Sequence, residues 1–183
     1  MLPPTLKVCG RNLLPFSLRH RVALEAIGSP VITPGKACTV SDLLFAVRIL
    51  SSHELADSRR PTTWYEHYLA CKFTVSPEAF AQQLVNLHIY MESQALWPRF
   101  WEKKEKANHG GIPWHLSIVA GLMRYGCELE KAWTMPEAEA VWLYIANCKA
   151  DGARIDLITD EEFDAMAKAS VEIAKTKTQP TRN

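Results

Sequence analysis

Start and stop signals for helices recur along the whole chain and constrain its fold more than any other feature. Ser76-Pro77-Glu78 combines an N-cap, a proline at the first helical position and an acid beside the helix dipole. Gly28-Ser29-Pro30 ends an earlier segment, because proline cannot continue a helix. Between such signals the apolar residues return at helical spacing, as in the segment after Thr39. The sequence therefore predicts an all-α fold.

The predicted architecture is a compact domain of six to eight helices, preceded by a small β-hairpin that turns at Gly10. The segment Trp114 to Tyr125 is apolar on nearly all sides, so we expect a mostly buried central helix. Trp142, on the helix that follows Pro136, is predicted to pack against the core. Thr159-Asp160-Glu161-Glu162 has the spacing of a capping box and opens the last helix. The predicted buried residues of that helix are Phe163, Met166, Ala167, Ser170, Ile173 and Ala174.

The best internal boundary is a charged segment that ends in two glycines. Residues 102–111 contain no large apolar side chain, and Gly110-Gly111 is typical of an exposed loop. The predicted parts are an N-terminal helical part at 1–101, a loop at 102–112, a C-terminal helical part at 113–175 and a flexible tail at 176–183. We expect the two helical parts to pack as one domain.

The charge balance argues against dedicated binding to nucleic acid. Lys and Arg number 21 and Asp and Glu 20, for a formal net charge of +1. A protein that binds the phosphate backbone usually carries a strong basic excess. No apolar run reaches the roughly 20 residues that cross a bilayer, and the first residues lack the pattern of a signal peptide. We therefore expect a cytoplasmic protein that does not bind membranes.

Sequence motifs for catalysis, cofactors and metals are not found. There is no G-x-S-x-G, no G-x-x-x-x-G-K-[ST] and no G-x-G-x-x-G. The five cysteines form no C-x-x-C pair and are expected to be buried free thiols, without disulfide bonds. His67 and Cys71 have a spacing that can chelate a metal, but two ligands do not make a site. His115 is interpreted as a core histidine whose hydrogen bonds are satisfied. From these observations together we predict a protein without enzymatic activity, metal or cofactor.

The segment Trp97-Pro98-Arg99-Phe100-Trp101 is the candidate binding site for a partner. Pro98 disfavours helical geometry at Trp97, so the chain is expected to bend there. The bend turns at least one ring of Trp97, Phe100 and Trp101 away from the preceding helix face, and aromatic rings are common anchors at interfaces. We predict that these rings, with Arg99 at their rim, contact a client helix or a second copy of the protein. The alternative is that they cover the central helix.

Five strings of the chain carry a resemblance to a known family. They are Gly10-Arg11-x-Leu13-Leu14-Pro15-Phe16-Ser17-Leu18, Glu25-Ala26-Ile27-Gly28-Ser29-Pro30, Asp42-Leu43-Leu44-Phe45-Ala46-Val47, Gly111-Ile112-Pro113-Trp114 and Ala132-Trp133-Thr134-Met135-Pro136-Glu137-Ala138-Glu139-Ala140-Val141-Trp142. They resemble small helical tail-assembly chaperones of tailed bacteriophages, in blocks from residue 10 to about 165. The resemblance implies a non-enzymatic protein of the host cytoplasm that binds the tape-measure protein before tail polymerisation.

Two other functions stay open at this point. A virion component, such as a head–tail or tail-completion protein, has much the same composition, and ring assembly of the purified protein would favour it. The third interpretation is a phage protein that binds nucleic acid. In that case the rings of the segment 97–101 would stack on bases, and the lysines that follow would bind phosphates. Glu102 and Glu105 stand between those lysines and weaken this interpretation.

Overall fold

The computed structural model describes residues 7–33, 35–54, 60–98, 113–159, 161–166 and 168–169. Its elements are β1 (Lys7–Val8), β2 (Arg11–Asn12), α1 (Leu18–Ala26), α2 (Val40–Leu50), α3 (Trp64–Val75), α4 (Pro77–Gln94), α5 (Trp114–Arg124), α6 (Leu129–Thr134) and α7 (Glu137–Ala150). Residues 161–166 are helical as well. The prediction of an all-α fold with a small N-terminal hairpin is confirmed. Within the described ranges, no helix is both long enough and apolar enough to cross a membrane. The predicted loop at 102–112 and tail at 176–183 lie outside these ranges.

Short-range capping contacts place the starts of the helices. The side chains of Ser17, Thr39, Thr63 and Ser76 each accept a hydrogen bond from the backbone N–H of the third residue of α1, α2, α3 and α4, respectively. Thr159 does the same for the N–H of Glu162, whose carboxylate accepts from the Thr159 N–H at 2.9 Å. The predicted capping box at Thr159 is therefore confirmed.

Cys9 and Gly10 close the N-terminal hairpin. The two strands are antiparallel, with Val8 opposite Arg11. Cys9 and Gly10 have φ values of 50° and 76°, as the tight two-residue turn of a hairpin requires. The backbone N–H of Cys9 donates to Oε1 of Gln83 on α4 at 2.7 Å. The hairpin is thereby fixed to the helical part.

Two hydrophobic clusters lie within the described residues. The N-terminal cluster is formed by the hairpin and α1 to α4, and it includes Leu24 and Leu43. The C-terminal cluster is formed by α5, α6 and α7, with Ile118 and Leu122 among its members. Leu18, at the start of α1, belongs to this second cluster. Because α1 packs against both α2 and α6, it serves both clusters.

Helix α5 is less buried than its composition predicts. Ile118 and Leu122 are buried as expected, but Leu116 and Met123 are exposed. The helix packs against α6 and α7, and these two side chains lie outside that contact. Gly121 permits the close approach of α7, because a Cβ at this position would lie 2.5 Å from a ring carbon of Tyr144.

Three other side chains that we predicted to be buried are exposed. They are Trp142, Phe163 and Met166. On α7 the buried positions are Glu137, Ala140, Val141 and Ile145, so the side chain of Trp142 lies beside the core rather than in it. Helical spacing predicts which residues share one apolar face, but not whether another element covers that face. Phe163 and Met166 share such a face and are exposed. The predicted residues Ala167, Ser170, Ile173 and Ala174 lie outside the described positions.

Candidate interaction surface

The structure describes one side chain of the predicted partner site, that of Trp97. Arg99, Phe100 and Trp101 lie outside the described residues, so their role stays a prediction. The half-buried ring of Trp97 packs against Trp114 at the start of α5, with ring centres 5.4 Å apart. This contact joins the end of the N-terminal helical part to the C-terminal one.

Arg21 of α1 lies among three aromatic rings and one carboxylate, a group that we call the Arg21 cluster. Its guanidinium carbon is 5.3, 5.1 and 5.4 Å from the ring centres of Phe16, Trp97 and Trp114. The guanidinium donates two hydrogen bonds to Glu137 at the start of α7, one of them 2.9 Å long. Burial raises the pKa of Glu137, and the bonds from Arg21 oppose that rise. The Arg21 cluster holds α1 and α7 together and gives Trp97 a structural role.

The outer side of α3 carries exposed aromatic rings, which we call the α3 aromatic row. The row consists of Trp64, Tyr65 and Tyr68, and Trp64 is 82% exposed. The side of the helix that faces away from Trp64 buries Leu69 and Phe73 against the N-terminal cluster. Large exposed rings of this kind are enriched at protein interfaces. The α3 aromatic row is therefore the candidate interaction surface.

Contacts among the rings hold the α3 aromatic row in place. The rings of Trp64 and Tyr68 are stacked with centres 6.4 Å apart, and those of Tyr65 and Tyr68 have the same separation. The hydroxyl of Tyr65 donates to the Cys9 carbonyl of the hairpin at 3.4 Å. Rings that are already ordered lose less conformational entropy when a partner binds.

Cys71 and Val75 extend the exposed side of α3 beyond the row. The expectation that all thiols are buried is wrong for Cys71, whereas Cys9 is buried and the other three are half-buried. All five cysteines lie in the described residues and none is paired. Among the residues described, no three His, Cys, Asp or Glu side chains are grouped to hold a metal ion.

His115 differs from the satisfied core histidine that we predicted. It lies near the rings of Trp114 and Trp133, at centre distances of 5.9 and 6.3 Å. Its Nδ1 atom is buried without a hydrogen-bond partner in the described part of the chain. The carboxylate of Glu25 is 3.9 Å away, too far for a hydrogen bond.

His20 is a buried titratable group that the sequence did not single out. Its Nε2 atom is 3.0 Å from the Ser52 carbonyl, and its Nδ1 atom is 3.2 Å from the backbone N of Ser17. These partners fit a neutral ring with the proton on Nε2. The ring stacks on His53 with centres 4.9 Å apart. Burial, the largest influence, lowers the pKa of His20 from 6.5 to about 4.

This pKa predicts a loss of stability in mild acid. Between pH 6.5 and about 4 the unfolded chain binds a proton at His20 that the folded protein excludes, so the free energy of unfolding falls as the pH falls. The full contribution is about 3 kcal/mol, present above pH 6.5 and lost near pH 4. Urea unfolding at a series of pH values between 7 and 4 measures this contribution. The variant His20→Gln should have a flatter profile, and equal slopes would contradict the prediction.

No protein family, curated protein or solved structure matches this chain.

Sequence reasoning missed the α3 aromatic row as a surface. The signal was present, since Trp64 and Tyr68 are one helical turn apart and Leu69 and Phe73 define a different face. Aromatic side chains alone do not distinguish a core face from an exposed one. The contacts of α3 with α2 and α4 decide which face is inside.

Proposed function

We propose that this protein is a non-enzymatic binding protein that holds a helical segment of a client on the α3 aromatic row. The observation that carries the proposal is the 82% exposure of Trp64 in a stacked, ordered row. An exposed stripe at i and i+4 matches the anchor spacing by which one helix recognises another. The proposed client is a tape-measure-like phage tail protein, and the proposed place of action is the host cytoplasm.

The size of the row supports transient rather than permanent binding. Together with Val75, the three exposed rings offer on the order of a few hundred Å² of apolar surface to a partner. A stable complex buries more, roughly 800 Å² on each partner. A chaperone must release its client when the tail polymerises, so a modest contact suits that role. The choice of client rests on the resemblance alone.

The test uses a tape-measure fragment from the genome that encodes this chain, titrated into the purified protein. We expect one-to-one binding that weakens at least tenfold in the double variant Trp64→Ser with Tyr68→Ser. Val85→Ser with Ile89→Ser is the matched control, since both residues are about half exposed and one turn apart on α4. The control should bind like the native protein. Equal binding by the aromatic double variant would refute the α3 aromatic row as the site.

Further outcomes separate the remaining alternatives. The variant Phe100→Ala with Trp101→Ala tests the site predicted from the sequence, where lost binding at an unchanged melting temperature would place the client there. Closed rings of the purified protein without client binding would favour a virion component. Binding to single-stranded DNA that falls steeply with added salt would favour a nucleic-acid-binding protein.

A further inference from the structure

Four exposed side chains of α3 follow the spacing of a coiled coil, and we call them the α3 seam. They are Trp64, Tyr68, Cys71 and Val75, at successive intervals of four, three and four residues. These intervals are those of alternating d and a positions in a heptad. Trp64 is 82% and Val75 85% exposed, and Cys71 is exposed as well. The α3 seam therefore has the spacing at which one helix packs on another, continued over the length of α3.

A different face of α3 holds the helix to the rest of the protein. Leu69 and Phe73 are buried in the N-terminal cluster, where the ring of Phe73 lies 6.2 Å from that of Phe80 on α4, between ring centres. The buried carboxylate of Glu66 accepts hydrogen bonds from Arg48 of α2 and fixes the first turn. A partner can cover the α3 seam without disturbing these contacts.

The side chains beside the seam determine its charge. Four residues occupy the flanking e and g positions: Tyr65, His67, Lys72 and Thr74. The hydroxyl of Tyr65 donates to the Cys9 carbonyl, and that of Thr74 donates to the Ala70 carbonyl at 2.9 Å. Lys72 is exposed, and no ion pair to it is found among the residues that the structure describes. Its positive charge is therefore available to a partner.

The charges of α3 disfavour pairing of the seam with a second copy of the chain. Glu66 is the single carboxylate of α3, and it is 3% exposed and bound to Arg48 and Arg11. Two paired α3 helices, parallel or antiparallel, would bring no acid of either helix against Lys72. Opposite charges at e and g positions select helix partners, and like charges oppose pairing. Charge complementarity thus favours a different helix that carries acidic flanks.

We propose that the α3 seam binds an amphipathic helix whose apolar residues follow the heptad spacing and whose flanking e and g positions are acidic. The inference rests on the proposed function, because it specifies which kind of client segment the α3 aromatic row takes. The apolar residues of that segment cover Trp64, Tyr68 and the smaller side chains after them, and a carboxylate pairs with Lys72. Burial of the rings supplies most of the affinity, and the charges select the segment.

The experiment uses two synthetic peptides of three heptads each. Both have leucine at a and d, with alanine and glutamine at b, c and f, and they carry either glutamate or lysine at every e and g position. Each peptide is titrated into the full chain at about 20 mM salt, where surface charges are weakly screened. We expect saturable one-to-one binding of the glutamate peptide, at least fivefold tighter than that of the lysine peptide.

Three variants test the role of Lys72. Lys72→Glu should weaken binding of the glutamate peptide and strengthen binding of the lysine peptide. Lys72→Gln should reduce the preference, and it keeps the test valid if an acid in the last turn of α3 unfolds the protein. The matched control is Lys149→Glu, which replaces an exposed lysine in the last turn of α7 and should bind both peptides like the native protein. Circular dichroism checks that each variant is folded.

Several results would overturn the proposal. They are absence of saturable binding of the glutamate peptide, equal affinity of the two peptides, and equal responses of Lys149→Glu and Lys72→Glu. Unchanged binding of the glutamate peptide by Trp64→Ser with Tyr68→Ser would place the peptide elsewhere and overturn it as well. Sedimentation of the protein alone tests the second copy, since a dimer that dissociates in this double variant would replace the proposal by self-association.

Failure of this inference and failure of the proposed function give different results. If the tape-measure fragment binds through the α3 aromatic row while the two peptides bind equally, the row remains the client site and the acidic heptad is wrong. If the glutamate peptide binds at the α3 seam and the fragment does not bind, the choice of client is wrong and the inference about the seam is supported.

Discussion

Replacing Glu137 by alanine is expected to lower the free energy of unfolding by about 3–5 kcal/mol. Glu137 is 1% exposed and is the only carboxylate to which Arg21 donates among the described residues. Its removal leaves a guanidinium charge largely out of water, with only the faces of the aromatic rings to stabilise it. Urea unfolding with an unchanged denaturant slope measures the loss.

Glu139→Ala is the control for this prediction, because it removes an exposed acid from the same first turn of α7. Its expected cost is about 0.3–1 kcal/mol, the contribution of an acid near a helix N-terminus. The double variant Arg21→Met with Glu137→Leu should recover most of the stability, since it removes both charges. A loss below about 1 kcal/mol in Glu137→Ala would show that the pair contributes little.

Glu66→Ala, in the first turn of α3, is expected to have an effect of similar size, about 3–5 kcal/mol. The change leaves Arg48, whose side chain is almost fully buried, without a counter-charge and Arg11 without its carboxylate. It also removes the Glu66 carboxylate that caps the N–H of Thr63 at the start of α3. Thermal and urea unfolding both report the loss.

Asp42→Ala is the control that separates two contributions to the stability loss in Glu66→Ala: the lost capping interaction and the lost ion pair. Asp42 occupies the same third position of α2 and completes the same capping box with Thr39, but no ion pair to it is found in the described residues. We expect this control to lose about 0.5–2 kcal/mol, the usual effect of a lost cap. Equal losses in Asp42→Ala and Glu66→Ala would mean that the buried charges add nothing.

Helix boundaries could be predicted from the sequence because capping depends on neighbouring residues. Thr39, Ser76 and Thr159 all cap helices where the sequence places them. Burial could not be predicted as well, because it depends on which distant element covers a face. The Glu137 side chain shows this, since it is buried against Arg21, which lies 116 residues earlier in the chain.

The candidate site was harder to predict than the fold. The sequence drew attention to Trp97, whose ring is half-buried beside Arg21 and Trp114. The more exposed rings lie on α3, where Trp64 and Tyr68 stack on each other outside the core. The composition shows only that aromatic residues are present. Which of them are exposed to solvent depends on how each helix packs against its neighbours.

Because α1 contributes to both hydrophobic clusters, its two sides are covered at different times during synthesis of the chain. A ribosome adds about 5–20 residues per second, so Glu137 follows Arg21 by roughly 6–23 s. Helices α2 to α4 emerge first and can cover the side of α1 that carries Leu24. The side with Leu18 and Arg21 stays uncovered until α6 and α7 leave the ribosome. A chain that stops before α6 therefore keeps a core leucine and an unpaired arginine at its surface, where cellular chaperones and proteases can recognise it.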